Sequence, residues 1–353
     1  FVVVSSDFKD VRDAAYLGQR ILDLLESPFD ILGQRAFVGA SIGIADARPG
    51  ELSADGLLHR ADVAMYRAKS LGAGRVVYFD DGMQAEAEQR LSTEVALRAA
   101  IANDELEVRY QPIVSLTDGH LIGAESLVRW DRPGFGVLPP SEFIAIAEQS
   151  TLVCQLDRWV LGESSRQVAR WRETLAPNMR VSVNLSARGA QESDLVGNVM
   201  LAVAQAGLDF RALTVELTES SLLSGHVQIL DNLAGLRALG VGVALDDFGT
   251  GYSSLAYLKR LPANILKIDK SFVDEVDRDS PSALIVGAVI TMGHALGLNI
   301  IVEGVERQSQ ADKLRELGVI AAQGYLFAKP LSAADFETQW LSSGEPEVRR
   351  MAV

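Results

Sequence analysis

Apolar segments with the composition of β-strands end, one after another, in a polar residue. Each of these residues is a carboxylate, an amide or an ammonium that closes a run rich in Val, Ile and Leu. In chain order they are Glu125 in LIGAESLVRW, Asn184 in VSVNLS, Glu216 in LTVELTES, Asp246 and Asp247 in VGVALDDFGTG, Lys267 in ILKIDKSFV, Glu303 in NIIVEGVE and Gln323 in AAQGYLF. From Asn184 onward the spacings are 32, 30, 21, 36 and 20 residues, which leaves room for a helix between most neighbouring strands. The pattern predicts a parallel (β/α) barrel, in which the C-terminal ends of the strands meet at one face.

Convergence of these residues predicts a metal site. Five carboxylates in one pocket would repel one another unless cations lay between them, and oxygen donors favour hard divalent ions. A zinc centre is not expected, because His59, His120, His226 and His294 lack the spacing of zinc ligands and Cys154 is the only cysteine.

Composition limits the function further. The chain has 353 residues, of which 48% are hydrophobic and 23% charged, so it predicts ordinary globular cores and two domains. Since no apolar run approaches roughly 20 residues, we expect a soluble chain without a membrane segment. The single cysteine suits a reducing cytoplasm. The net charge of −14 argues against a polymeric nucleic-acid partner, but a small phosphorylated substrate could still bind where metal ions invert the local potential.

The first part of the chain, residues 1–81, predicts a partial α+β domain. Strands are expected at FVVVSS, AFVGASIGIA and VVYFD, and helices at residues 10–29 and at LLHRADVAMYRAKSLG. A fold that starts in mid-strand suggests a missing N-terminal region, which could carry a sensor or a membrane anchor. Residues 82–103 contain few helix breakers and predict a connecting helix.

The barrel is expected over residues 104–342, with a C-terminal tail at 343–353. It begins with VRYQPIVSL and LIGAESLVRW, joined by the turn sequence TDGH, so the first strand should run antiparallel to the second. Helical and strand patterns alternate from there on. The sequence therefore predicts a TIM-type (β/α)8 barrel with an antiparallel first strand.

The barrel half resembles the EAL-domain family of cyclic-di-GMP phosphodiesterases. The resemblance rests on YQPI, ESLVRW, NLS, ELTES, DDFGTGYSSL, LKIDKSF, EGVE and QGYLFAKP, in that order. The Glu-Ala-Leu for which the family is named reads Glu125-Ser126-Leu127 here. Because neighbouring residues of a strand face opposite sides, Ser126 should face the helix layer when Glu125 faces the pocket.

The N-terminal part resembles the C-terminal half of a GGDEF domain, through SIGIA and ADVAMYRAK. The signature loop of that family would lie immediately before Phe1. Ala73 stands where family members place an arginine after the lysine of the AK motif. We therefore expect a regulatory or vestigial domain that does not make cyclic-di-GMP from GTP.

The resemblance implies a role for each candidate site residue. Two Mg²⁺ or Mn²⁺ ions, with Ca²⁺ inhibitory, would support hydrolysis of cyclic-di-GMP to linear pGpG in bacterial second-messenger signalling. The implied metal ligands are Glu125, Asn184, Glu216, Asp246 and Asp247. The implied catalytic residues are Lys267, Glu303 and Gln323, without a narrower choice of general base, and the implied substrate contacts are Gln111, Leu127, Arg129, Asp247 and Tyr325. Glu219 would anchor the DDFGTGYSSL loop, whose Gly249 and Gly251 allow the turn. The family also leaves open a homodimer through the barrel.

The same residues also fit other roles and other functions. A lone acid at a strand end is most often a surface residue, Glu219 could be a solvated acid, and Arg129 could serve a structural ion pair. Among rival functions, an inert cyclic-di-GMP receptor would usually lack several metal ligands, and none is missing here. A metal-dependent barrel enzyme acting on enolisable acids would not require the DDFGTGYSSL loop.

Overall fold

The computed structural model divides the chain into two compact units, Phe1–Val95 and Ala96–Val353. A helix spans Asp81–Ala102, where the sequence predicted one, and the division falls within it. The boundaries proposed from the sequence stay a prediction, and the tail 343–353 lies outside the described residues. The structure describes residues 1–5, 11–31, 33–48, 50–72, 74–103, 105–223, 227–249, 258, 260–278 and 281–342.

The first unit contains two small sheets and two helices before the long one. Strands β1 (Phe29–Ile31) and β2 (Gln34–Ala36) are antiparallel, and β3 (Ile42–Ile44) and β4 (Val76–Tyr78) are parallel. Helices cover Val11–Leu25 and Ala54–Ser70. Ala73, on which the expectation about GTP rests, lies outside the described residues.

Two details of this unit follow from local contacts. The helix Ala54–Ser70 packs so closely on β3 that a Cβ at Gly43 would lie 2.0 Å from the backbone nitrogen of Met65, which explains the glycine within SIGIA. The prediction of a strand at FVVVSS is wrong for residues 1–5, which form no regular secondary structure and are exposed to solvent. A strand needs a hydrogen-bonding partner, and within the described residues β3 and β4 pair only with each other.

The second unit is a closed eight-stranded barrel, which confirms the predicted fold. Its first strand is antiparallel to both neighbours, as the hairpin turn predicted, and the other barrel strands are parallel. The short β7 pairs antiparallel with the end of β6 and is not one of the eight barrel strands. The strands are β5 (Leu106–Ser115), β6 (Leu121–Arg132), β7 (Gly136–Leu138), β8 (Val181–Asn184), β9 (Leu213–Thr218), β10 (Gly242–Phe248), β11 (Ile265–Ile268), β12 (Asn299–Val302) and β13 (Ala321–Gln323); around the barrel the order is β5, β13, β12, β11, β10, β9, β8, β6.

Helices surround the barrel and bury its outer face. The main core lies between the sheet and these helices and includes Trp130, Phe143, Trp171 and Phe336. The helices and helical turns are Pro140–Ala147, Leu152–Thr174, Ala187–Ala190, Leu195–Ala206, Phe210–Ala212, Glu219–Leu223, Val227–Leu239, Lys270–Val273, Pro281–Ala295, Gln308–Glu316, Ala333–Phe336 and Glu337–Leu341. No helix in the described ranges is long and apolar enough to span a membrane.

A small apolar cluster fills the inside of the barrel. It consists of Ile113, Ile301 and Ala321, with Ile265 packed against it. Each member stands two positions along its strand from a predicted site residue, and residues two apart on a strand face the same side. The polar residues therefore lie directly above an apolar floor, at the C-terminal mouth of the barrel.

Candidate metal and active site

Lys267 lies at the centre of the polar cluster. It belongs to β11, and its side chain is fully buried. Its ammonium nitrogen Nζ lies 2.6 Å from both Glu216 Oε2 and Glu303 Oε1. It also lies 3.3 Å from Asp246 Oδ1 and 3.4 Å from Glu125 Oε2. Four of the predicted acids, which are far apart in the sequence, thus surround one cation.

Amide side chains from neighbouring strands fix the orientation of the Glu125 carboxylate. Asn184 Nδ2 donates to Glu125 Oε1 at 2.6 Å, and Gln323 Nε2 donates to Glu125 Oε2 at 2.7 Å. The Gln323 amide also donates to Gln111 Oε1 at 3.0 Å, and Gln111 in turn donates to the carbonyl of Ala328. Residues from four strands therefore form one continuous hydrogen-bonded chain.

A bulge at the end of β10 brings two successive acids to the same pocket. Successive residues of a regular strand point to opposite faces. Here the pairing with β11 shifts between Leu245 and Phe248, which leaves one extra residue on β10. Asp247 has φ of 53°, in the left-handed region, and its backbone N–H donates to Asp246 Oδ1 at 3.0 Å. Both carboxylates can therefore approach Glu303, with one oxygen from each of the three acids within 4.8 Å of the others.

Burial controls the titration of most of these acids. Desolvation raises the pKa of Glu216 well above its usual value and raises that of Glu303 to about 8, although the Lys267 ammonium acts in the opposite direction. Desolvation also raises the pKa of Asp246, and for Asp247 the neighbouring Asp246 adds to the effect of burial. Lys267 alone therefore does not offset the cost of ionising these acids together.

Glu125 and Lys267 are held in their charged forms. Burial opposes ionisation of Glu125, but the Lys267 charge and the hydrogen bonds from Gln323 and Asn184 outweigh burial and lower its pKa. Burial also opposes the charge on Lys267. The surrounding carboxylates, Glu125 and Glu216 foremost, outweigh burial and raise the pKa of Lys267 well above its usual value.

Glu219 contacts the loop that follows β10. It begins the short helix after β9, is 2% exposed, and its Oε2 accepts a hydrogen bond from the backbone N–H of Gly249 at 2.9 Å. Residues 250–255 of the DDFGTGYSSL loop, including Gly251, lie outside the described residues. The contact is the one expected of a loop anchor, and the anchoring role itself stays a prediction.

Further predicted residues form the wall above the acid cluster. Leu127 and Arg129 stand two and four positions beyond Glu125 on β6, on the same face, and are half-buried. The Arg129 guanidinium donates to the carbonyl of Val128, and burial, followed by the nearby charge of Arg109, lowers its pKa. None of the described hydrogen bonds joins Leu127 or Arg129 to the acids.

Tyr325 and Ser126 complete the predicted set. Tyr325 is 57% exposed, and the Lys329 ammonium lies 5.5 Å from the centre of its ring. The ring is therefore largely exposed to solvent, and its contact with substrate stays a prediction. Ser126, which replaces the alanine of the family motif, is 2% exposed and donates to the carbonyl of Ser182 on β8 at 2.8 Å. Its hydroxyl is satisfied behind the pocket, as the strand alternation predicted.

The residues at the mouth fit divalent cations. Glu216 Oε1 is buried and has no hydrogen-bond partner within the described part of the chain, and Asp246, Asp247 and Glu303 present oxygens close to one another. One lysine faces four contacting carboxylates, so further cations would be needed for all four to be ionised together. An anionic set of oxygen donors suits Mg²⁺ and Mn²⁺.

Sequence reasoning missed two residues behind the cluster, Asp157 and Ser186. Asp157 lies on the helix Leu152–Thr174, and its Oδ2 accepts hydrogen bonds from the Ser186 hydroxyl at 2.6 Å and from the Ser186 backbone N–H at 3.2 Å. One signal could have revealed it, because Asp157 stands three residues after Cys154 and four before Leu161, both buried. A carboxylate at that spacing on an apolar helix face requires a partner.

The fold and the cluster define a TIM-type barrel whose mouth carries a group of acidic oxygen donors that could hold a metal ion. Residues 94–330 match the EAL domain family, and the chain belongs to that family. Residues 1–75 match the family described as diguanylate cyclase, GGDEF domain. Both resemblances inferred from the sequence motifs are confirmed.

Two curated relatives match nearly the whole chain. The chain is 38% identical over 332 residues to the bifunctional diguanylate cyclase/cyclic di-GMP phosphodiesterase MucR of Pseudomonas aeruginosa, covering 94% of this chain and 48% of MucR. It is 37% identical over 337 residues to the cyclic di-GMP phosphodiesterase PdeR of Escherichia coli, covering 96% of this chain and 50% of PdeR. The chain spans at most about half the length of these curated relatives.

A solved structure matches the barrel. The structure described as PaMucR phosphodiesterase in complex with c-di-GMP superimposes with a TM-score of 0.67 at 40% sequence identity, covering 69% of this chain and 99% of that one.

Proposed function

We propose that this chain hydrolyses cyclic-di-GMP to linear pGpG with the help of two Mg²⁺ or Mn²⁺ ions. Three findings support the proposal: the membership of the EAL domain family, relatives named as cyclic-di-GMP phosphodiesterases, and a similar barrel solved with the dinucleotide. The observation that carries it is the Lys267 cluster, in which one ammonium contacts four carboxylates and leaves Glu216 Oε1 unpartnered within the described residues.

Cation binding at the mouth would use oxygen atoms of this cluster. Glu125, Asn184, Glu216 and Asp246 would hold one ion, and Asp246 would bridge to a second ion held with Asp247. The bulge that turns Asp246 and Asp247 to the same side provides for this sharing. When bound, the ions would polarise the phosphodiester and lower the pKa of the attacking water.

Hydrolysis requires in-line attack of water on one phosphorus atom. A new P–O bond forms, the bond from phosphorus to the 3′ oxygen breaks, and the leaving oxygen takes up a proton to give the 3′ hydroxyl of pGpG. Lys267 would stabilise the negative charge that develops on the phosphoryl oxygens, since its ammonium is held rigidly at the centre of the site. Glu303 and Gln323 would hold the attacking water in line.

Substrate would lie against the wall formed by β5 and β6. Gln111 would contact a phosphate from a position fixed by Gln323, and Arg129 offers a planar donor suited to a phosphate. For this purpose the Arg129 guanidinium would exchange its bond to the Val128 carbonyl for a bond to substrate. Leu127 and Tyr325 would contact the guanine bases.

The competing function is an inert receptor that binds cyclic-di-GMP without cleaving it. A single experiment separates the two: purified protein is incubated with cyclic-di-GMP in Mg²⁺ or in excess chelator, and the nucleotides are separated by chromatography. The proposal expects linear pGpG in Mg²⁺ only. Retention of the dinucleotide on the protein, without product in Mg²⁺ or Mn²⁺, would establish the receptor instead.

A further inference from the structure

The Asn184 side chain stands at the very end of its strand, where little of the sheet supports it. Strand β8 spans only Val181–Asn184, and Asn184 is exposed. Its amide nitrogen donates to Glu125 Oε1, and its amide oxygen is the atom that a cation would use. Beyond the strand, the backbone N–H of Leu185 donates to the carbonyl of Glu216 on β9 at 2.9 Å. The direction of Asn184 therefore depends on what holds the residues that follow it.

Asp157 holds the next residue, Ser186, by two hydrogen bonds to a single oxygen. Its Oδ2 accepts from the Ser186 hydroxyl and from the Ser186 backbone N–H. The Ser186 hydroxyl in turn accepts from the backbone N–H of Gly189 and so caps the helical turn Ala187–Ala190. The chain after Asn184 is thereby attached to the helix Leu152–Thr174.

The fit around this oxygen is close. A Cβ added at Gly189 would lie 2.2 Å from Asp157 Oδ2, so the glycine makes room for the carboxylate. Asp157 also lines a small cavity together with Leu161 and Leu195. Desolvation of a carboxylate costs stability, which points to a task beyond filling space.

We propose that Asp157 is a positioning residue, which fixes Asn184 for cation binding by holding Ser186. The inference rests on the proposed function, because it assumes that Asn184 is a metal ligand. Groups that hydrogen-bond metal ligands directly typically contribute about 10–100-fold to metal affinity, and Asp157 acts one step further back, through Ser186. Because both hydrogen bonds reach one oxygen, the carbonyl oxygen of an asparagine could replace Oδ2, and the negative charge itself is not required.

The test measures Mn²⁺ affinity, by electron paramagnetic resonance of the free ion, and the unfolding midpoint of the full chain. Asp157→Ala and Ser186→Ala should each weaken Mn²⁺ binding by about 10-fold or more, and Asp157→Asn should restore most of it. The double variant should bind Mn²⁺ no more weakly than Asp157→Ala, since Asp157→Ala already removes both hydrogen bonds to Ser186. At saturating Mn²⁺ the kcat for cyclic-di-GMP should recover, because the defect lies in affinity.

Leu161→Ala provides the matched control. Leu161 is buried, one helical turn from Asp157, and lines the same cavity, so its truncation should lower the unfolding midpoint without changing Mn²⁺ affinity. Wild-type affinity in folded Asp157→Ala or Ser186→Ala overturns the inference, as does an equal loss of affinity in Leu161→Ala. An Asp157→Asn variant as weak as Asp157→Ala overturns the claim that only the acceptor matters. Absence of Mn²⁺ binding by the wild-type chain would instead overturn the proposed function and this inference together.

Discussion

Lys267 Nζ and Glu216 Oε2 lie 2.6 Å apart, and neither side chain has solvent-exposed surface. Such a pair is stable in the interior only when its geometry is close and its remaining polar atoms are satisfied. The second oxygen of Glu216 has no hydrogen-bond partner in the described ranges. Lys267 therefore satisfies this carboxylate only in part, and a further cation at Oε1 would complete it.

Replacing Lys267 tests its contribution to catalysis. We expect Lys267→Ala to lower kcat for cyclic-di-GMP by about 10² or more, the scale for losing one well-placed electrostatic group, with a smaller change in substrate Kd. The physical reason is that the ammonium faces charge that develops only in the transition state. Steady-state kinetics and calorimetric titration of substrate measure the two quantities.

Lys270 provides the control for this variant. It lies three residues further on and forms an exposed ion pair with Glu306, a type of contact that contributes at most about 1 kcal/mol. Lys270→Ala should leave kcat unchanged. A Lys267→Ala variant with intact kcat and lost affinity would make Lys267 a phosphate-binding residue and remove its catalytic role.

Divalent cations should control both activity and stability. Excess chelator should abolish turnover, Mg²⁺ or Mn²⁺ should restore it, and Ca²⁺ should not, because calcium favours looser, higher-coordinate geometry. At 100-fold the Kd, a bound ion should raise the free energy of unfolding by about 2.7 kcal/mol. Thermal unfolding with and without Mn²⁺ measures this shift. Undiminished turnover in chelator would end the metal hypothesis.

The pH dependence of stability should carry a contribution from Asp157. Desolvation raises its pKa from 3.8 to about 7, with Glu192 and Glu148 acting in the same direction. Between these two values the folded state holds a proton that the unfolded state has lost, so stability falls as pH rises through this window. Asp157→Asn removes the titration. In chelator, the free energy of unfolding of the wild type relative to Asp157→Asn should therefore be highest below about pH 4 and decrease until about pH 7. If the difference in unfolding free energy between the two proteins does not depend on pH, the raised pKa of Asp157 is contradicted.

Much of the fold could be read from the chain because its signals are local. Alternating apolar strands and helices predicted the barrel, and TDGH predicted the antiparallel start that the pairing of β5 with β6 shows. The strand expected at FVVVSS failed because a strand depends on a partner elsewhere in the chain, and composition carries no information about that partner.

The sequence predicted which residues would cluster at the mouth better than it predicted the geometry of the cluster; their roles stay a prediction. The sequence indicated that Glu125, Glu216 and Lys267 would meet, since parallel strands deliver their C-terminal residues to one face. Strand β6 nevertheless continues for seven residues beyond Glu125, to Arg132. The bulge at Asp247 could not be foreseen, because an alternating strand would send Asp246 and Asp247 to opposite faces. Contacts such as Asp157 with Ser186 join residues 29 apart and depend on how a helix packs on the barrel.

Gly249 should tolerate no side chain. Its φ of 101° disfavours other residues, and a Cβ there would lie 2.5 Å from the ring of Phe272. Gly134 is the matched control, since its φ is 81° but no atom within the described part of the chain lies within 4 Å of its Cβ position. Gly134→Ala should cost about 1–2 kcal/mol of stability from backbone strain alone, and Gly249→Ala about 1–3 kcal/mol more from overpacking. Equal losses on chemical denaturation would show that the contact with Phe272 is relieved.

The most direct test compares the wild-type chain with Glu125→Ala in one assay of binding and turnover. Glu125 lies at the mouth, where it accepts hydrogen bonds from Asn184 and Gln323. It is not part of the main hydrophobic core, so the variant should remain folded. In saturating Mg²⁺ the wild type should convert cyclic-di-GMP to pGpG, while Glu125→Ala should bind some dinucleotide and release no pGpG. Cleavage by Glu125→Ala at the wild-type rate, or binding without cleavage by the wild type, would contradict the proposed phosphodiesterase.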